Sequence, residues 1–153
     1  MKKQHRAPWD CVYAKEEENA CRPGRKPESD QGYFEILCLC ILQAGLNWGV
    51  IRRNWRKYHK GFCGFNIARL SRAEASLLLE EPNVLRNKSK VEAIIQNARE
   101  FKSIKKEYGS FAGFLKSLGD MTEEGLIELL TKRFRHVGNY TAAYYLHAVG
   151  YRK

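Results

Sequence analysis

Residues 32–48, GYFEILCLCILQAGLNW, constrain this chain more than any other stretch. Phe34, Leu37, Cys38, Ile41 and Leu42 follow the i, i+3, i+4, i+7 spacing of a helix. Ile36, Leu39 and Cys40 are apolar as well, so the helix is hydrophobic on nearly every side. Such a helix belongs in the middle of a fold, with other elements packed around it. It runs into Gln43-Ala44-Gly45-Leu46, where Gly45 permits a backbone conformation or a close approach that a side chain would block. Trp48 then places a large flat ring just past the turn, suited to packing or to stacking.

A chain of 153 residues is expected to form one domain with a real core. No apolar run approaches the ~18 residues of a membrane span. The basic start, Met1 to Arg6, leads into no hydrophobic core, so no secretory signal is expected and a cytoplasmic location is. The five cysteines, at 11, 21, 38, 40 and 63, are odd in number and form no CxxC pair. Cys38 and Cys40 on one helix point to different faces, which argues against a disulfide framework or a metal cluster.

The net charge is +10, and it is unevenly placed. Residues 49–73 carry seven Lys/Arg and no acid, and residues 132–153 carry five and no acid. Residues 1–31 carry seven against six. Two acid-free basic segments in a folded domain suggest a polyanion surface, most often nucleic acid, against the plainer reading of a soluble basic protein.

Residues 1–31 read as an irregular N-terminal segment punctuated by Pro8, Pro23, Gly24 and Pro27, and residues 32–153 as a single helical domain. Ser29 or Asp30 can cap the central helix. Val50 to Lys60 reads as one basic amphipathic helix stopped by Gly61, and Ser71 with Glu74 as a capping box opening a short helix that Pro82 ends. The longest helix is expected over 87–107, on Val91, Ile94, Ile95, Ala98, Phe101 and Ile104. Arg86, Lys88 and Lys90 crowd its N-terminal end, against the helix dipole. With Asn87 they could serve an anion such as a phosphate, or a simple solvated end. Ser110 and Thr122 cap two further helices, and a last one runs from Asn139 or Tyr140 to about Val149. There is no convincing strand, repeat or low-complexity tract.

From Leu126 to Leu146 the pattern is helix, Val-Gly hairpin, helix, which resembles the helix–hairpin–helix DNA-binding motif. Arg135, His136, Val137, Gly138, Asn139, Tyr140 and Thr141 surround the turn as candidate DNA contacts through side chains and exposed amides. A larger resemblance is collinear over residues 33–150. FEILCLCILQAGLNW, VLRNKSKVEAIIQNAREF, GSF at 109–111 and KRFRHVGNYTAAYYLHAVG together resemble the DNA-3-methyladenine glycosylase I family.

That resemblance implies an all-α glycosylase fold and a base-flipping hydrolase acting on double-stranded DNA with an alkylated or modified base. It implies that Gln43, Ala44, Gly45 and Leu46 insert at the lesion, and that Trp48 stacks on the flipped base in a pocket with Cys40, Gln43, Trp9 and Tyr13. The departures are also legible. The family's base-recognising glutamate falls at Cys40, a neutral thiol that cannot replace a carboxylate. Ala14 follows Tyr13 where a histidine belongs. Ala7, in Arg6-Ala7-Pro8-Trp9, replaces a cysteine ligand, and the sequence ends at Lys153 before the family's last zinc ligands, so no zinc and no other cofactor is expected. No catalytic residue is identified; Glu35 is the one candidate acid, against the plainer reading of a helix N-terminal acid favoured by the dipole. His59, His136 and His147 show no triad spacing. The expectation is a divergent DNA N-glycosylase working as a monomer, off the membrane; the alternative is a glycosylase-like DNA-binding protein without catalysis.

Overall fold

The computed structural model describes residues 24–151, and among them there are helices and turns but no strand. No helix there is long and apolar enough to cross a membrane. The order is α1 (Asp30–Gln43), α2 (Trp48–Arg53), α3 (Trp55–Gly61), a 3-10 turn (Cys63–Phe65), α4 (Ile67–Ser71), α5 (Ala75–Leu78), α6 (Lys88–Tyr108), α7 (Phe111–Ser117), α8 (Glu123–Arg133) and α9 (Asn139–Ala148).

The apolar α1 is central, as its sequence requires. Tyr33, Phe34 and every residue from Leu37 to Leu42 are buried, and α2, α6, α7, α9 and the 3-10 turn pack around it. Ser29 is its cap, accepting from the Gly32 amide. Asp30, the rival cap, instead accepts from the amide of Phe111 at 2.9 Å and joins α1 to the start of α7. The Tyr145 hydroxyl donates to the Tyr33 carbonyl at 2.8 Å and pins α9 to α1. Phe34 packs edge-on to Phe101, and Phe101 stacks on Phe111 with centroids 4.5 Å apart.

Three sequence expectations are corrected. The helix expected over 50–60 is two helices. Asn54, with its side-chain amide bonded back to the Val50 carbonyl at 2.9 Å, sits between them, an example of a short polar side chain competing with the helix ladder. Gly61 is not a left-handed stop but the last residue of α3. A Cβ there would fall 2.5 Å from the Asn83 carbonyl, so the glycine serves a close approach. Ser71 opens nothing: it ends α4, a helix the sequence did not announce, and its hydroxyl donates to the Ala68 carbonyl. The α5 cap is Glu74, without a side-chain bond.

Candidate functional site

The turn after α1 follows from its sequence. Ala44 has φ −53, ψ 117, Gly45 has φ +83, and the Leu46 amide donates to the Gln43 carbonyl at 2.6 Å. These are the angles of a type II turn, whose third position takes a left-handed residue and therefore favours glycine. Gln43 closes the turn again through its side chain, donating to the Leu46 carbonyl at 2.7 Å.

The hairpin between α8 and α9 is built differently. Its left-handed residue is His136, at φ +60. Gly138 has φ −86, ψ −178, extended backbone open to any residue, and nothing lies within 4 Å of where its Cβ would be. What the glycine leaves is empty space above the chain. Gly138 is also the N-cap of α9 and offers no side chain to the first-turn amides. Asn97, 1% exposed on α6, anchors the hairpin from below. It accepts from the Arg135 amide at 2.8 Å and donates to the Arg135 carbonyl at 3.1 Å.

Between the two turns lies an open groove of about 870 Å³. Ala44 contributes one edge, Ser89, Glu92 and Ala93 of α6 the floor, and Thr131 to Gly138 with Thr141 the far wall. Of the residues singled out from sequence, Ala44, Arg135, His136, Val137, Gly138 and Thr141 are gathered here. Several cations nearby are already committed: Arg133 to Glu100 at 2.5 Å, Lys132 to Glu128 at 3.0 Å and Lys88 to Glu92 at 3.8 Å. Arg86 and Arg135 are exposed and make no ion pair among the described residues. Tyr140 is 72% exposed just past the hairpin.

Lys90 requires a correction. It is only 4% exposed, and its Nζ donates to the carbonyls of Leu42 (2.8 Å) and Ala44 (2.5 Å). Its charge opposes the dipole of its own helix but sits at the C-terminal end of α1, whose last turn contains no basic residue. Burial lowers its pKa. Partial burial of the His136 ring, and then the Lys90 charge, lower the pKa of His136. Asn87 caps α6, its side-chain oxygen accepting from the Lys90 amide at 3.1 Å.

Of the residues assigned to a base pocket, Cys40, Gln43 and Trp48 do not line the groove. Cys40 is 2% exposed, and burial pushes its thiol far above the ordinary range, so it is neutral and unreactive. Trp48 is 6% exposed and packs on Tyr144 with ring centroids 5.5 Å apart. Trp9 and Tyr13 lie outside the described residues, as does Ala7. Glu35 is nine residues from Ala44, roughly 13 Å along α1. It faces His59 of α3, with Oε1 3.9 Å from Nε2, a pairing invisible in sequence. Burial raises the Glu35 pKa, partly offset by His59. It is not brought to the groove. Among the described residues no three His, Cys, Asp or Glu side chains are grouped to hold a metal ion. Cys38 and Cys40 are free thiols in the core, so the described residues do not fit a zinc site.

The methyladenine glycosylase family model matches residues 22–125. A DNA-3-methyladenine glycosylase of Haemophilus influenzae is 31% identical over 96 residues, which is 60% of this chain and 52% of that protein. DNA-3-methyladenine glycosylase 1 of Escherichia coli is 30% identical over 95 residues, 60% of this chain and 51% of its own length. The chain thus spans about half the length of the curated relatives it matches. A crystal structure of 3-methyladenine DNA glycosylase I superposes with a TM-score of 0.72 at 26% identity, covering 84% of this chain and 83% of the other. A solution structure of 3-methyladenine DNA glycosylase I covers 98% of this chain and 91% of its own, with a TM-score of 0.69 at 22% identity, a likeness of fold that takes in the hairpin.

Proposed function

The chain belongs to the methyladenine glycosylase family, and on that footing we propose that it is a DNA N-glycosylase that flips an alkylated or otherwise modified base from duplex DNA and releases it. The observation that carries this reading is the groove, which brings the type II turn to the edge of an open, glycine-spaced hairpin. A phosphate fits above Gly138, where uncapped amides of α9 can donate to it and Arg135 adds charge. The Gln43–Leu46 turn, partly buried at Leu46 and exposed at Gly45, then meets the duplex where the base leaves the stack.

The chemistry asked of the protein is modest. An alkylated purine is cationic and its glycosidic bond is already weak, so extrusion, stacking and electrostatic help supply most of the acceleration, with water adding at C1′ of the sugar and losing its proton as the neutral base leaves. Trp48 is the stacking group in this reading, which requires its packing against Tyr144 to open. Cys40 stays neutral and attracts no cation, so the substrate range shifts away from the relatives' toward bases held by shape. The same buried thiol and covered ring favour the second reading, a damage-binding protein without catalysis.

Release of free base from methylated duplex DNA, with Trp48→Ala as control, tests the first reading. Release that the variant loses supports a working glycosylase. No release from any modified duplex, with tight salt-sensitive binding retained, leaves the binding protein.

A further inference from the structure

Among the described residues Lys90 is the one charged side chain that is buried. It is an ammonium 4% exposed, 48 and 46 residues from the two carbonyls it holds, at the N-terminal end of a helix whose dipole repels it. Taking such a charge out of water is costly unless its hydrogen bonds are replaced, and here two carbonyls take two of its three donors. Those carbonyls, of Leu42 and Ala44, bracket the point where α1 ends and the type II turn begins. Gln43 and Gly45 set the shape of the turn from within; Lys90 ties it to α6, the floor of the groove.

We infer that Lys90 is a positioning residue, fixing the Gln43–Leu46 turn in the raised conformation that enters the duplex while making no contact with DNA itself. The inference rests on the proposed role of that turn and holds for an enzyme or for a damage-binding protein. A turn ordered before binding does not lose that freedom on insertion, so Lys90 acts on discrimination between damaged and intact sites. It leaves the sequence-independent phosphate contacts unchanged, because its charge is already bound to backbone oxygens.

The test compares the full chain and its Lys90→Met variant on two duplexes, one intact and one carrying a tetrahydrofuran abasic analogue. The preference of the wild type for the analogue falls about ten-fold in the variant, the scale of ordering a short segment on binding. Affinity for intact duplex and its salt slope stay the same. Leu46→Ala lowers the preference too, and the double variant falls short of the sum, since both act through one turn. A variant that keeps the wild-type preference overturns the inference alone. A slope reduced by about 0.9 assigns Lys90 to a phosphate and overturns it as well. A wild type without preference removes the role of the turn and the inference with it. If Lys90→Met does not fold, the nitrogen-15 signal of the Lys90 ammonium in the wild type decides. Protection from solvent exchange unchanged by duplex supports the tie to the carbonyls; transfer to a phosphate contact overturns it.

Discussion

Two glycine turns border the groove, and they use glycine for opposite reasons. Gly45 has φ +83 and completes a type II turn that the chain itself requires. Gly138 is extended, with empty space where a side chain would stand, and the left-handed residue of its hairpin is His136 instead. The first glycine is explained by the fold. The second has no use inside the protein, so its explanation lies in what approaches from outside. The same contrast separates the two halves of the site: the end of α1 is tied down by the buried Lys90, whereas the hairpin is open, basic at Arg135 and anchored by Asn97.

The largest expected effect is on that support. Asn97→Leu leaves the Arg135 amide and carbonyl without partners, which costs about 2–4 kcal/mol in denaturant unfolding and weakens duplex binding together with stability. Stability unchanged in this variant would mean that the hairpin holds itself. Gly45→Ala comes next: a Cβ in the left-handed region costs about 1–2 kcal/mol, with nothing nearby to clash. Gly138→Ala sharpens the contrast most. Unfolding stays within ~0.5 kcal/mol of wild type, while affinity for intact duplex drops about ten-fold because the methyl group fills the space a phosphate needs. Equal affinity there would remove the external explanation for the glycine.

The smallest effect is a control far from both turns. The folded pKa of Glu35 is raised, chiefly by burial, so its carboxylate is a net cost above that pKa and the cost disappears as pH falls through it toward the ordinary carboxylate range. Glu35→Gln therefore raises Tm by a degree or two at pH 7, on the order expected for a few tenths of a kcal/mol. The gain shrinks to nothing on acidification, and DNA affinity is unchanged at every pH. A Tm gain independent of pH would assign the effect to packing.

Where the helical pattern runs long, the sequence was readable. The stripe from Val91 to Ile104 located α6 to within a residue or two, and the Ser110 and Thr122 caps are in place, accepting from Gly113 and Gly125. Short helices were readable only where a cap marked them, as Ser110 marks the seven-residue α7. Fewer than two turns give no period, so α4 was missed and α2 and α3 were read as one. The all-α glycosylase fold was legible through the collinear resemblance rather than through periodicity. The groove was not, because its walls come from residues 44, 89–93 and 131–141, which only packing brings together. For Lys90 and Asn97 a signal did exist. Positions 90, 94, 97 and 101 share one face of α6, and polar residues on an apolar stripe point inward to a buried partner. Reading Lys90 by its charge alone sent it to the wrong side of the helix.

Amide chemical-shift mapping of the protein with a short duplex bearing the abasic analogue tests the central claim most directly. The account predicts that the amides of Gly138 to Thr141 and those of Ala44 to Leu46 shift together with one affinity, while those around Glu35 and His59 stay still. Shifts confined to the basic helices α2 and α3, with both glycine turns unmoved, would contradict it.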